Sequence, residues 1–165
     1  MSARRIVASS LVAVALLAAP ATADQATETA EITLHQLDAP GALTLLRTIA
    51  NTRGLGLKLV DERTVRVTDS PELVALAKSV VDLAENPSDL AGEVTTLAVP
   101  DGSVIAAVHV EHAALKDVGT ALRTEVSISR MAFNDTLSTV VVRDTPEQVQ
   151  AALDVIRRLE EQSQN

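Results

Sequence analysis

The sequence predicts an α+β fold of two tandem βαββα units, each a small three-stranded sheet that two helices cover on one face. The first observation behind this prediction is an internal repeat, because residues 64–86 and residues 139–161 are identical at ten of 23 aligned positions. The second is that each copy reads as a strand, a turn and a helix, and a repeat of whole elements is typical of tandem domains. The identical pairs are Thr64/Thr139, Val65/Val140, Val67/Val142, Asp69/Asp144, Pro71/Pro146, Glu72/Glu147, Val74/Val149, Ala77/Ala152, Val80/Val155 and Glu85/Glu160.

The later copy shows its strand and its helix most clearly. Val140 and Val142 alternate within a β-branched run, which is typical of a strand. After this strand, Thr145 can cap a helix, Pro146 suits the first helical position, and Glu147 faces the positive end of the helix dipole. Apolar residues then recur at spacings of three and four, which predicts one helical stripe of Val149, Ala152, Ile156 and Leu159.

The first 23 residues have the pattern of an export signal. Arg4 and Arg5 precede an apolar run over residues 6–19, and Ala21 and Ala23 are the small residues that signal peptidase reads. We expect cleavage after Ala23. A retained anchor is the alternative, but this run is shorter than the ~20 residues that a membrane-spanning helix needs. No other segment is apolar enough to span a membrane after cleavage.

The chain that remains is acidic and contains no cysteine. Loss of residues 1–23 removes two arginines and no acid, so the formal charge changes from −8 to −10. Such a chain repels phosphate backbones, which argues against nucleic acid as a partner. The absence of cysteine excludes disulfides, thiolate metal sites and a cysteine nucleophile. With one Phe and no Trp or Tyr, the cores must consist of Val, Leu, Ile and Ala.

The first unit is expected at residues 31–86, after a loose polar segment at residues 24–30. Apolar residues that alternate predict strands, apolar residues spaced by three and four predict helices, and Gly54 and Gly56 supply a flexible exit from the first helix. The predicted elements of this unit are a strand at residues 31–37, a helix from Asp38 or its neighbour to about Asn51, a hairpin of residues 57–60 and 64–68, and a helix at residues 71–85.

The second unit is expected at residues 93–161, after a linker at residues 87–92 that begins with Pro87. It has an extra β-rich segment at residues 93–99. This segment either forms a hairpin with the next strand or pairs with an edge of the first unit, and the sequence leaves both open. The other predicted elements are strands near residues 104–110, 126–133 and 137–142, a helix at about residues 113–123, a helix from Pro146 to about residue 161, and a frayed end at residues 162–165.

Each unit, as predicted, leaves the second face of its sheet and at least one sheet edge uncovered. Two helices with single apolar stripes can cover only one face of a three-stranded sheet. A small sheet with an open edge and no cleft is a poor enzyme, but it can bind another chain by extending its sheet or by packing against a helix.

The residues of the second copy resemble a known family. The sequence HVEHAALKDVGTALRTEV, followed by FNDTLSTVVVRDTPEQVQAALDVIRRLE, closely resembles the short N-terminal periplasmic domains of bacterial secretins, the ring-forming outer-membrane gates of type II secretion and type IV pilus systems. The resemblance covers nearly all of the chain after its export segment, and its motifs are signals of fold. The matching residues are Asn134, Thr139, Val140, Val142, Asp144, Thr145, Pro146, Glu147, Ile156 and Leu159, with Asp69, Ser70, Pro71 and Glu72 in the first copy.

This resemblance implies βαββα domains of KH-like topology that stack into periplasmic rings and contact inner-membrane machinery or cargo. The sequence ends at the second repeat, without the C-terminal barrel region of the family, so we expect an accessory or stand-alone component of a secretion or pilus assembly. The expected partners are a secretin ring or inner-membrane components, a homo-oligomer is compatible with the resemblance, and the location is the periplasm, with outer-membrane association through partners. The alternative is a periplasmic binding or envelope-maintenance module of the same fold that is unrelated to secretion.

The sequence predicts no catalytic residue, no cofactor and no metal, and therefore no enzyme. His109, Glu111 and His112 look like part of a metal site, but zinc prefers three or four ligands and no further ligand is placed beside them. The remaining chemical candidates have simpler explanations as turn residues: the acids Asp61, Glu62 and Asp101, the hydroxyl of Ser103, and the glycines of Gly54-Leu55-Gly56.

Two features remain that concern structure or contact rather than chemistry. The repeated tetrads Asp69-Ser70-Pro71-Glu72 and Asp144-Thr145-Pro146-Glu147 are interpreted as helix starts. Arg157 and Arg158, beside two glutamates, are interpreted as a solvated helix face that can also meet an opposite charge across an interface.

Overall fold

The computed structural model of this protein describes residues 26–50 and 56–164. The predicted α+β fold of βαββα units is confirmed, and both of its sheets are antiparallel, while the predicted export segment and Gly54 lie outside the described residues. The first unit consists of β1 (Glu28–Thr33), α1 (Ala39–Ile49), β2 (Gly56–Asp61), β3 (Thr64–Asp69) and α2 (Pro71–Glu85). The second consists of β4 (Thr96–Ala98), β5 (Val104–His109), α3 (Leu115–Ala121), β6 (Arg130–Asn134), β7 (Thr139–Asp144) and α4 (Pro146–Ser163).

The two units share one strand topology. The first sheet has the order β1-β3-β2 and the second has the order β4-β5-β7-β6, so the last strand of each βαββα unit lies at the centre of its sheet. Equivalent strands also keep equivalent registers: Glu31 pairs with Arg66 in the first sheet, and Ala107 pairs with Val141 in the second. The repeat in the sequence is therefore a repeat in three dimensions.

The elements form four layers, in the order first sheet, α1 with α2, second sheet, α3 with α4. Val65 and Val67 of the first sheet share an apolar cluster with α1 and α2, and the same cluster includes Ile105 and Val141 of the second sheet. On its other face the second sheet contributes Val140 and further residues to a separate cluster with α3 and α4. One helical layer is thus buried between two sheets.

The expectation of an uncovered sheet face is correct for the first unit and wrong for the second. In the second unit, α1 contacts β6 and β7 while α2 contacts β5, so the helices of the first unit cover the face that was expected to be free. Burial in α1 shows why the prediction failed. Leu45 is buried as well as the predicted stripe of Leu43, Leu46 and Ile49, because α1 has a sheet on each side.

Several element boundaries differ from the prediction. The first strand begins at Glu28, so part of the segment expected to be loose is paired, and α4 continues through Ser163 into the segment expected to fray. The helix α3 ends in one π-helical turn at Leu122–Val126, and Ser127 follows it with a left-handed φ of 62°. The last residue of this turn, Val126, was predicted to begin a strand, which starts instead at Arg130.

The extra segment of the second unit forms the hairpin and does not pair with the first unit. Its strand, β4, is only three residues long and pairs antiparallel with β5. The linker covers the rest of that edge: the Ser88 N–H donates to the Ala107 carbonyl at 2.9 Å, and Ser88 accepts from the His109 N–H at 3.0 Å. Both halves of the β5 edge are therefore covered by residues that precede it.

The buried face of α4 is rotated slightly from the predicted stripe. Val149, Ala152 and Ile156 are buried as predicted, but Leu153 is also buried and Leu159 is only half-buried. The buried residue of the last turn is Glu160. A buried charge requires a hydrogen-bonding partner, and the partner of Glu160 is the loop that follows β5.

Candidate functional site

The repeated tetrads begin α2 and α4 with the same geometry. The Ser70 hydroxyl accepts from the Leu73 N–H at 3.4 Å, and the Thr145 hydroxyl accepts from the Gln148 N–H at 3.3 Å. The preceding aspartates, Asp69 and Asp144, each accept from the N–H of the capping residue, at 2.6 and 2.9 Å. Pro71 and Pro146 occupy the first turn of each helix, and Glu72 and Glu147 follow them there. These contacts are local, as is typical of helix caps.

At the other end of α2, a glutamate holds a loop in place. The Oε1 atom of Glu85 accepts three successive backbone N–H groups, from His35 at 2.7 Å, Gln36 at 2.8 Å and Leu37 at 3.0 Å. Successive N–H groups of this kind form a concave anion site, which here is filled by the protein itself. The loop after β1 is thereby fixed to the last turn of α2.

The second unit repeats this contact at Glu160. The carboxylate of Glu160 accepts from the N–H of His112 at 3.1 Å and from the N–H of Ala113 at 2.9 Å, and its Oε2 lies 3.1 Å from Nδ1 of His112. Burial raises the pKa of Glu160. Hydrogen bonds have the larger, opposite effect, and they come from the N–H groups of Ala113, His112 and Glu111 and from the His112 side chain. The pKa of Glu160 is therefore below its ordinary value of 4.5. Glu160 therefore acts as a charged clamp for the loop after β5.

A third polar cluster lies where the two units meet. The side chain of Arg143, at the end of β7, is 4% exposed. Its Nη2 donates to Asp101 Oδ2 at 2.7 Å, its Nε donates to the Ser103 hydroxyl at 2.8 Å, and its Nη1 donates to the Ile49 carbonyl at 2.7 Å. Hydrogen bonds from the Ser103 hydroxyl and N–H, followed by the Arg143 guanidinium, lower the pKa of Asp101 to about 2 although burial raises it.

The structure separates the histidines and acids that looked like part of a metal site. Nδ1 of His109 lies 3.0 Å from the Leu137 carbonyl, whereas His112 contacts Glu160, so the two imidazoles have different partners. His109 and Glu111 line an open groove of about 540 Å³ beside the end of α4. Within residues 26–50 and 56–164, no group of three or more His, Asp and Glu side chains could hold a metal ion.

The other chemical candidates occupy turns or lie outside the described part. The Asp61 carboxylate accepts from the Arg63 N–H at 2.8 Å, and the Asp101 carboxylate accepts from the Ser103 N–H at 3.0 Å, as is typical of turn acids. The Ser103 hydroxyl donates to Asp101 at 2.6 Å. Of the glycine pair, Gly56 begins β2.

Arg157 and Arg158 both contact groups of their own chain. Nη1 of Arg157 donates to Asp154 at 2.9 Å, and its Nε donates to the Leu90 carbonyl at 3.3 Å. Nη2 of Arg158 donates to Glu125 on the π-helical turn at 2.6 Å. The carboxylates that pair with Arg157 and Arg158 belong to exposed side chains, Asp154 and Glu125, and such exposed ion pairs are weak.

The outer face and the β2 edge of the first sheet are open to another molecule, and we call them the first-sheet surface. Its outward residues are polar: Glu31 and Arg66 form an ion pair at 2.7 Å, and the Thr29 and Thr68 hydroxyls lie 2.9 Å apart. At its edge, β2 contributes Leu59 and Val60, which are 45% and 42% exposed. They are the large apolar side chains that the described residues leave exposed.

Sequence reasoning named several of these residues without their roles and missed others. Glu85 and Glu160 were visible as an identical pair, but their buried partners are backbone groups some fifty residues earlier. No feature of the sequence indicated that Arg143 is buried, because an arginine at a strand end is ordinarily a surface residue. Leu59 and Val60 belonged to the predicted hairpin, and only the edge position of β2 leaves them exposed.

No family model and no curated protein matches this chain. Solved structures that match it include N-terminal regions of secretins, the family that the sequence motifs resemble. One is a dimeric mutant of the N-terminal domain of the secretin XcpQ from Pseudomonas aeruginosa, with 14% identity, 81% of this chain covered and a TM-score of 0.35. This chain spans 62% of that structure.

Two further matches are of the same kind. The extra-membranous domain of the secretin HofQ from Actinobacillus actinomycetemcomitans is 11% identical over 82% of this chain and 97% of its own, with a TM-score of 0.33. Aeromonas hydrophila ExeD is 13% identical over 82% of this chain and 28% of its own, with a TM-score of 0.32. In the part of this chain that the structure describes, no helix combines the length and apolar character needed to cross a membrane.

Proposed function

We propose that this protein is an exported, non-catalytic module that binds another protein in the periplasm, as an accessory or stand-alone component of a secretion or pilus assembly. The observation that carries the binding role is the β2 edge of the first-sheet surface, where Leu59 and Val60 are exposed. The assignment to secretion rests on the motifs of the two repeats in the sequence.

The β2 edge has the features of a site for an added strand. β2 pairs with β3 on one side, and no described strand pairs with its other side. Alternate backbone N–H and C=O groups of an edge strand point away from its sheet and can bond to an extended segment. Leu59 and Val60 add apolar contact area at this edge, so a partner strand gains both hydrogen bonds and apolar burial.

The same edge carries features that oppose indiscriminate pairing. The register shifts between Leu59 and Asp61, which is a bulge, and Lys58 and Asp61 place charges on either side of the apolar pair. Bulges and charges are devices that protect edge strands from aggregation. The expected partner is therefore an extended segment with complementary charges rather than any exposed strand.

A non-catalytic role agrees with how the polar groups are used. Glu85, Glu160 and Arg143 are the buried charged side chains of the described residues, and each is bonded within the fold. No buried polar side-chain atom of the described residues lacks a hydrogen-bond partner. A catalytic group must be within reach of a substrate atom, whereas these groups are occupied by structural contacts.

The proposal can be tested by direct binding. The purified protein is titrated against the purified periplasmic domains of a secretin and against an inner-membrane component of the same assembly, with calorimetry as the readout. We expect binding to one of them and a loss of about tenfold or more in affinity for Leu59→Asp, because the substitution places a charge in an apolar contact. The matched control is Thr33→Asp on β1, the opposite edge, which should bind as the unsubstituted protein does.

Two outcomes contradict the proposal. Binding that Leu59→Asp and Val60→Asp leave unchanged would place the contact elsewhere on the molecule. An absence of binding to either component would contradict the secretion assignment and favour the envelope module unrelated to secretion. Circular dichroism of each variant should match the unsubstituted protein, since both side chains are already half exposed.

A further inference from the structure

The contact between the two units combines an apolar area and one buried cation, beside the hydrogen bonds of Ser88 in the linker to β5. Ile105, Ala107, Ala132 and Val141 of the second sheet lie in the same cluster as α1 and α2. Three of these four side chains are alanine or valine, which are short and project little from a sheet. Apolar contact is proportional to area and has no preferred direction, so short side chains alone allow the helices to shift on the sheet.

Arg143 is placed at the rim of this apolar area and reaches across it. Its Nη1 donates to the carbonyl of Ile49, the last residue of α1, in a buried hydrogen bond of 2.7 Å. The carbonyls of the last helical turn have no partner within their helix and carry the negative end of the helix dipole. A guanidinium is therefore well suited to this position in both charge and hydrogen bonding.

The rest of the guanidinium is held rigidly by the second unit. Nε and Nη2 donate to Ser103 and Asp101, and Ser103 in turn donates to Asp101 at 2.6 Å. Each of the three guanidinium nitrogens thus has an acceptor, and two of the acceptors support each other. Because the fork of an arginine is planar and its donors have fixed directions, fixing two of them sets the position of the third.

We propose that Arg143 is an orientation latch, which fixes α1 of the first unit at one angle and position on the second sheet. The role goes beyond partner binding and does not depend on the proposed function. A buried charge contributes little net stability but penalises every arrangement in which it loses its partners. A shift of the first unit along the apolar area would leave the Arg143 Nη1 group without the Ile49 carbonyl.

The chain contains a matched control for this proposal. Arg130 lies directly opposite Arg143 in the register of β6 and β7 and projects from the same face of the second sheet. It is only half-buried, and its side chain makes no hydrogen bond or ion pair with a described residue. Replacement of Arg130 removes the same charge and the same side-chain length from the neighbouring position but leaves the hydrogen bonds of Arg143 to Ile49, Asp101 and Ser103 in place.

The test measures the distance between the units rather than stability. The chain has no cysteine, so Thr33→Cys on β1 and Ala151→Cys on α4, both at exposed positions, accept one spin label each. Electron–electron dipolar spectroscopy should show one narrow distance distribution for the doubly labelled protein. With Arg143→Met the distribution should become clearly broader or gain a second maximum, whereas Arg130→Met should leave it narrow.

The alternative outcome overturns the proposal. A narrow, unshifted distribution for Arg143→Met would show that Arg143 does not set the orientation, and that the apolar contact and the hydrogen bonds of Ser88 to β5 are sufficient. If Arg143→Met does not fold, Asp101→Asn combined with Ser103→Ala removes the two side chains that hold the guanidinium while Arg143 remains. That variant should also broaden the distribution, and an unchanged distribution would again overturn the latch. Circular dichroism distinguishes a change of orientation from a loss of secondary structure.

Discussion

The outer faces of the two sheets occupy equivalent positions in the repeat and have opposite chemistry. In the first sheet the outward residues of the paired strands are Thr29, Glu31, Arg66 and Thr68. Their counterparts in the second sheet are Ile105, Ala107, Val141 and Arg143. The first face is exposed, and the second is buried under α1 and α2. A duplicated fold thus has one face for solvent and one face for its own neighbour.

This difference also determines what each sheet needs from its surroundings. An apolar outer face on the first sheet would need another apolar surface to cover it, as the second sheet needs α1 and α2. A polar outer face removes that need. The first sheet therefore remains available at its surface, while the second sheet is committed to the interior.

The largest effect is expected when the side chains of two equivalent central positions, Val141 in the second sheet and Arg66 in the first, are exchanged. Val141→Arg places a charge against α1 and should lower the free energy of unfolding by about 3 kcal/mol or more, because the buried cation has no partner there. Arg66→Val should change it by about 0.5 kcal/mol or less, since only an exposed ion pair is lost. Urea denaturation followed by circular dichroism measures both. Similar losses for the two variants would contradict the assignment of the faces.

The glutamate clamps test what the two units share. Glu85→Ala and Glu160→Ala should each destabilise the protein by about 2–4 kcal/mol, because adjacent backbone N–H groups of one loop lose their acceptor. Thermal melting measures the loss. Glu147→Ala, which removes an exposed carboxylate from the first turn of α4, is the control and should cost about 0.5 kcal/mol. A large loss at only one of the two clamps would show that the repeat does not extend to this contact.

The clamp of the second unit also predicts a dependence on pH. The pKa of Glu160 is lower in the folded protein than its ordinary value of 4.5, so its contribution to stability is fully present above that value. The contribution is lost as the pH falls through the lower, folded value. The stability difference between the unsubstituted protein and Glu160→Gln should therefore shrink as the pH is lowered from 7 to 3. A difference that stays constant over this range would contradict a charged clamp.

The helix caps should give the smallest and most equal effects. Ser70→Ala and Thr145→Ala each remove one hydroxyl acceptor and should each cost about 1 kcal/mol. Thr145→Ser keeps the acceptor and should be nearly neutral. Denaturant titration resolves the change. Unequal losses at the two caps would show that the equivalent tetrads differ in structure, as the outer faces do.

Local features of this fold could be predicted from the sequence because their causes are local. The starts of α2 and α4 follow from a capping hydroxyl, a proline and an acid within four residues, and these groups interact with the nearest backbone groups. The strand β7 followed from a β-branched run, and the repeat followed from identities that need no structure at all. Leu159 shows the limit of such a prediction, because it belongs to the predicted stripe but is only half-buried. The spacing of apolar residues does not tell from which direction the neighbouring elements pack against the helix.

The sequence by itself therefore determined the repeated βαββα pattern, the acidic charge and the helix starts, because propensity, periodicity and capping act over a few residues. Only the tertiary structure decided which sheet face is covered, which loops Glu85 and Glu160 hold, and that Arg143 joins the two units. Each of those contacts connects residues about fifty to ninety positions apart. Their partners are backbone groups or apolar faces, which no particular residue type marks in the sequence, so these contacts are identified only from the folded structure.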